Sequence, residues 1–174
     1  MVHSVELLFD ADTDAAVRQA WDELAQNGIR SLAGHRSPTN RPHVTLTVAG
    51  DMDDAVNDAL CPLLDRLPFR CVLGAPMVFG GGRSVTLVRL VVPSADLLEL
   101  QAEVNRVCRP HMTETPLPHA VPGHWTPHVT LARRIPSDQL PTALALASVT
   151  QDIGATAVGL RHWDGNARCE YPID

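Results

Sequence analysis

The chain is poor in aromatic residues, at 4 % of 174 positions, and it contains no lysine: all 14 basic residues are arginine. It also lacks a positive balance. A formal net charge of −6 argues against a protein that grips long nucleic acid by bulk electrostatics, while leaving room for a small cleft of local positive charge. No apolar run approaches the length of a membrane helix and no signal peptide opens the chain, so a cytoplasmic location and no membrane partner are expected. The four cysteines, Cys61, Cys71, Cys108 and Cys169, show no Cys-x-x-Cys spacing and read as reduced, mostly buried thiols. With 45 % hydrophobic residues the chain can bury a sizeable core. One domain over residues 1–174, built as two lobes and acting as a monomer, is expected.

What the chain does have is a repeat. Pro42-His43-Val44-Thr45-Leu46 recurs unchanged as Pro127-His128-Val129-Thr130-Leu131. In an extended strand successive side chains alternate between faces. His43 and Thr45 therefore share one face and Val44 and Leu46 the other, and the second copy repeats the arrangement. Each copy is an apolar anchor on one side and an imidazole with a hydroxyl on the other. If the copies belong to two related halves, a pseudo-two-fold axis brings both pairs into one cleft.

That set of groups suits phosphodiester chemistry. One group must take a proton from the attacking oxygen and another must give one to the leaving oxygen. Histidine, with an ordinary pKa of about 6.5, can hold either state near neutral pH. A hydroxyl beside each ring can donate to a non-bridging phosphoryl oxygen, where charge develops. The scheme calls for no metal and no cofactor. Arg36, Arg41, Arg133 and Arg134 flank the motifs, and the planar guanidinium fork suits phosphate.

With its two His-x-Thr-hydrophobic motifs, His43-Val44-Thr45-Leu46 and His128-Val129-Thr130-Leu131, the chain resembles the two-histidine (2H) phosphoesterases, and within them the 2′-5′ RNA ligase / RNA 2′,3′-cyclic phosphodiesterase branch. The resemblance implies a bilobal α+β fold, duplicated, with two antiparallel sheets lining a central cleft and helices outside. It implies His43 and His128 as catalytic residues, with Thr45, Thr130, Arg41 and Arg133 as substrate-binding residues. It also implies opening of 2′,3′-cyclic phosphates on RNA ends or small nucleotides, or the reverse 2′-5′ ligation. A binding module with little turnover, and a phosphodiesterase for another small cyclic phosphate such as an ADP-ribose derivative, are the alternatives. Which histidine is acid and which is base stays open at this point. In the strand after the glycine turn, where relatives often carry an aromatic residue, this chain reads Ser84-Val85-Thr86-Leu87-Val88.

The remaining pattern predicts the order β-α-β-α-β-β-α-β-α-β-β. Residues 2–9 read as a strand. A helix follows from caps at Asp10–Thr13 to Asn27-Gly28, with Trp21 in its core face. Residues 31–42 form a polar loop beside the first motif. A second helix starts at Asp51–Asp54, buries Val56, Leu60, Leu63, Leu64 and Leu67, and closes at Pro68. Two strands, 69–79 and 84–92, turn at Gly80-Gly81-Gly82-Arg83. A third helix opens at Pro93-Ser94 and presents Leu97, Leu100, Val104 and Val107. Residues 109–127, with five prolines and with His111, His119 and His124, read as a surface loop leading into the second motif, since their spacing fits no compact zinc pattern. Within it, Trp125 is placed to pack beside the motif strand or to cover a base. A helix from Ser137 and two closing strands, 153–163 and 167–173, complete the chain, with Trp163 and Tyr171 expected as cross-strand neighbours.

Overall fold

A computed structural model describes residues 2–149 and 151–174. The elements are β1 (His3–Phe9), α1 (Ala11–Gln26), β2 (His43–Ala49), α2 (Val56–Leu60), β3 (Phe69–Phe79), β4 (Ser84–Val91), α3 (Ala95–Cys108), β5 (His128–Pro136), α4 (Leu140–Val149), β6 (Ile153–Asp164) and β7 (Cys169–Pro172). Their order is the predicted one. Local chemistry sets the boundaries. The Asp10 side chain caps α1 through the Thr13 amide, and Gly28, at φ 77°, follows its end. Ser94 caps α3 through the Leu97 amide. The second helix is shorter than its apolar stripe predicts: it starts at Val56 and becomes a 3-10 turn over Cys61–Arg66, because Pro62 cannot donate a helical hydrogen bond.

All strand pairings are antiparallel, in the order β1-β2-β5-β4-β3-β6-β7, and β1 also pairs with β6. The sheet therefore closes on itself, with β7 outside on β6. The two expected sheets are two arms of this one sheet. Twelve-residue β6 joins them on one side, giving its first half to β3 and its second half to β1 and β7. On the other side the arms touch through a single residue pair, Val44 opposite Val129. Helices α2 and α3 lie on the side of β2, and α1 and α4 on the side of β3, β4, β5 and β6. One apolar cluster runs beneath both arms and includes Val5, Leu7, Val44, Leu46, Leu87, Val129 and Leu131.

The last hairpin differs from expectation by one residue. Tyr171 pairs with His162, and Trp163 pairs with Glu170. The loop between β6 and β7 runs from Gly165 to Arg168, between the paired Asp164 and Cys169, and carries Arg168 in the left-handed region, at φ 57°. Gly165 in the same loop donates its amide to the Val2 carbonyl, and a Cβ there would run into that oxygen. The four thiols are free. Cys71 and Cys108 are buried, Cys61 is partly covered, and Cys169 is exposed. Among the described residues no helix is long and apolar enough to cross a membrane.

Candidate active site

Both motif strands alternate as their sequence predicts. Val44, Leu46, Val129 and Leu131 point into the core, and His43, Thr45, His128 and Thr130 lie on the opposite, concave face. Antiparallel pairing of Val44 with Val129 sets His43 against Thr130 and His128 against Thr45. The two imidazoles are thus diagonal neighbours, about 7–8 Å apart at the backbone by sheet geometry. A pseudo-two-fold axis through the Val44–Val129 pair exchanges the motifs.

The axis extends to the groups that hold the motifs. Nδ1 of His43 lies 2.6 Å from the Arg41 carbonyl, and Nδ1 of His128 lies 2.7 Å from the Thr126 carbonyl. In each case the carbonyl is two residues upstream, across a proline. A carbonyl oxygen only accepts, so each Nδ1 carries hydrogen and each Nε2 is left to take or give a proton. The backbone carbonyl of each motif threonine accepts from an indole: Trp125 Nε1 to Thr45 at 2.9 Å, and Trp21 Nε1 to Thr130 at 3.0 Å. Trp125 thus packs beside the motif strand. Helix α3 adds to the hold on β2. Gln101 and Asn105 both donate to the Leu46 carbonyl, and Thr47 donates to Asn105. Neither the Thr45 nor the Thr130 hydroxyl has a hydrogen-bond partner among the described residues.

The symmetry ends at the surroundings of the two rings. His43 stands at a charged end. The Glu6 carboxylate on β1 lies 3.6 Å from its Nε2. Glu6 is buried, accepts from the Ser4 hydroxyl at 2.8 Å, and receives Arg161 Nε and Nη2 at 2.8 and 2.6 Å. Burial alone would push this carboxyl up, but the charges of His43 and Arg161 and the hydrogen bonds outweigh it and hold Glu6 below its ordinary value. Arg161 continues to Glu170, which in turn pairs with Arg41 at 3.4 Å. His128 stands at an apolar end. The Phe79 ring meets it edge-on, with centroids 4.8 Å apart. Burial lowers the pKa of His128 below 6.5 against the raising effect of the Thr126 carbonyl, and the charges of His43, Arg133 and His119 lower it further. Together these effects favour the neutral ring at His128.

A cavity of about 290 Å³ gathers His43, Thr45, Arg41 and Arg133 together with Glu6, His35 and Trp163. His128 opens on a second cavity of about 290 Å³, with Phe79, His119, His124 and Thr126. Thr130 lies between the two and lines neither. Arg36 is exposed and lines neither. Of the three loop histidines, His119 and His124 face His128, whereas His111 binds Asp53 at 2.9 Å. Among the described residues no group of three or more His, Cys, Asp or Glu side chains is placed to hold a metal ion.

Sequence reasoning missed Glu6, Arg161 and Glu170. The available signal was polar residues inside apolar strands: Ser4 and Glu6, two apart in β1, and the adjacent Arg161 and His162 in β6.

A family model described as the 2′-5′ RNA ligase superfamily matches residues 12–166. Among solved structures, Usb1 of Kluyveromyces marxianus is similar with a TM-score of 0.55 at 12 % identity, over 99 % of this chain and 97 % of that one. LigT of E. coli, complexed with 3′-AMP, is similar with a TM-score of 0.57 at 17 % identity, over 100 % of this chain and 97 % of that one. No curated protein matches the sequence. At these identities the structural likeness is one of fold.

Proposed function

Because the chain belongs to the 2′-5′ RNA ligase superfamily and sets two His-x-Thr pairs on one concave face, we propose that it is a metal-independent phosphoesterase that opens 2′,3′-cyclic phosphates of RNA ends or nucleotides. The observation that carries this reading is the matched pair of imidazoles. Each has its Nδ1 fixed on a backbone carbonyl, which leaves its Nε2 to take or give a proton, and the pairing of Val44 with Val129 makes the two motifs neighbours on one sheet. Similar structures hold uridine monophosphate and 3′-AMP, which supports a ligand of nucleotide size.

In this reading His128, held neutral, takes a proton from the attacking water as its oxygen bonds to phosphorus. His43 gives a proton to the ribose oxygen as its bond to phosphorus breaks. The Glu6 carboxylate, 3.6 Å from Nε2 of His43, sets a negative charge beside the group that gives this proton. The hydroxyls of Thr45 and Thr130 donate to the non-bridging oxygens, and Arg133 and Arg41 balance their charge. With a ribose hydroxyl in place of water as the attacking group, the same groups would join the cyclic phosphate to that hydroxyl, the ring oxygen leaving with the proton from His43. The test is a panel of cyclic phosphates assayed in EDTA: nucleoside 2′,3′-cyclic phosphates, RNA ends carrying them, and an ADP-ribose cyclic phosphate. Turnover of the first two supports the reading. Turnover of the third alone assigns a different substrate, and binding without turnover of any assigns a binding module.

A further inference from the structure

The polar loop between α1 and β2 and the far end of β5 form a further basin, from which the chemistry above uses only Arg133. It is about 510 Å³ and is lined by Arg30, Ser31, Leu32, Gly34, His35, Arg133 and Arg134. No acidic residue lines it. In a chain of net charge −6, three arginines line this basin, and none of the three makes an ion pair with any described residue. The basin shares Leu32, His35 and Arg133 with the cavity that holds His43, so the two are continuous.

Two backbone devices build it. Between the pairs Leu87–Ala132 and Val85–Ile135, β4 has one residue and β5 has two, Arg133 and Arg134. This is a β-bulge with Arg134 in the left-handed region at φ 56°. Successive strand residues normally face opposite ways; the bulge re-aims them, and both arginines line one basin. A non-glycine residue at this φ is strained, so the backbone holds an unfavourable shape that displays charge. The second device is an isolated bridge from Ser31 to Ala132. It lays the loop along the open edge of β5, and the Ser31 hydroxyl fastens it to the Trp21 carbonyl at 2.6 Å. Arg30 is thereby set beside the bulge.

We propose that this basin binds the phosphodiester next to the reacting cyclic phosphate, so that the enzyme acts on RNA chain ends in preference to mononucleotides. Unpaired guanidinium forks match phosphodiester oxygens in pairs, and continuity with the His43 cavity places them one unit along the same chain. Arg133 stands at the junction, and Arg30 and Arg134 serve the outer phosphate. This rests on the phosphoesterase reading above and narrows its substrate.

The experiment compares the parent with Arg30→Gln, Arg134→Gln, the double variant and Arg134→Gly, on four substrates: a nucleoside 2′,3′-cyclic phosphate, its 5′-phosphorylated form, and a di- and a trinucleotide ending in the cyclic phosphate. For the oligonucleotides kcat/KM falls about tenfold per arginine, equivalent to about 1.4 kcal/mol, and the plain nucleoside changes less than about twofold. The slope of log(kcat/KM) against log salt for the trinucleotide flattens by about 0.7 per arginine. Arg134→Gly, whose backbone suits φ 56°, unfolds no earlier than the parent yet shows the same oligonucleotide loss. Equal losses on all substrates, or none on any, overturn the proposal. An arginine dependence already complete with the 5′-phosphorylated nucleoside assigns the basin to a terminal phosphate and also overturns it. If the parent turns over no cyclic phosphate, the functional reading fails separately. Fluorescence anisotropy with a labelled 3′-phosphorylated trinucleotide still tests the basin, through a loss of affinity of about tenfold or more in the double variant. Unchanged affinity there overturns the proposal.

Discussion

Replacing Glu6 by glutamine removes one negative charge from a buried network and leaves its shape almost unchanged. Glu6 and Arg161 are 4 % and 3 % exposed, and two guanidinium nitrogens reach one carboxylate oxygen at 2.6 and 2.8 Å. Removing one partner of such a pair costs about 3–5 kcal/mol, because the other charge stays buried. Here Arg161 keeps Glu170 and the Thr39 carbonyl, so the lower end, about 3 kcal/mol, is expected. At about 2–4 °C per kcal/mol for a chain of this size, that lowers the melting temperature by about 6–12 °C. Calorimetry reads it. The same substitution takes away the charge 3.6 Å from His43 Nε2, and kcat on a nucleoside 2′,3′-cyclic phosphate falls by about tenfold or more, about 1.4 kcal/mol of barrier. The double variant Glu6→Leu with Arg161→Met separates the two effects. Replacing both charges by apolar groups removes the lone buried charge and recovers part of the lost stability, short of the parent because Glu170 and the Thr39 carbonyl lose Arg161, while kcat stays low. Parent-like kcat in the double variant, or a melting temperature within about 2 °C of the parent for Glu6→Gln, would refute the role given to Glu6.

Alanine at His43 or His128 lowers turnover by about 10²–10⁴-fold, and valine at Thr45 or Thr130 by about 10–10³-fold, in steady-state assays at constant pH. The double histidine variant is little worse than either single one, since acid and base act as a unit. Stability falls as the solution is acidified. His128 and His162 are both held below 6.5 by burial in the fold. Below about pH 6.5 the unfolded chain therefore binds protons that the fold refuses, and stability drops from there toward the folded values. Glu6, held below 4.5, adds a further loss at lower pH. Urea midpoints measured between pH 8 and pH 4 check this, and a flat profile contradicts it. Trp125→Phe removes the donor to the Thr45 carbonyl at little change in bulk and costs about 1 kcal/mol of stability, read by urea unfolding. EDTA leaves activity intact; loss of activity restored by zinc or manganese would contradict the two-imidazole scheme.

The motif strands were legible because their signal is local. A period of two assigns the faces of His43, Val44, Thr45 and Leu46, and an exact repeat ties the copies together. The helix limits at Asp10, Gly28 and Ser94 were legible for the same reason, as caps act over three or four residues. Features that depend on distant pairing were not. Glu6 and Arg161 are 155 residues apart in the chain, and nothing near either names the other. The indole donors Trp21 and Trp125 read as packing residues, which they are, but their hydrogen bonds to the two threonine carbonyls follow from how the arms close. Tyr171 pairs one place away from expectation, and the left-handed Arg168 in the same loop carries no signal comparable to a glycine. Arg89 looks like any strand arginine, yet it is buried and donates to the Gly74 and Ala147 carbonyls.

In the proposed reaction two imidazoles, His43 and His128, together open one cyclic phosphate. Phosphorus NMR of a nucleoside 2′,3′-cyclic phosphate, followed in EDTA with the parent and with His43→Ala and His128→Ala, tests it most directly. The parent is expected to convert the cyclic resonance to a phosphomonoester, and each variant to leave it nearly unchanged over the same time. An unchanged cyclic resonance with the parent, or conversion at the parent rate by either variant, would contradict it.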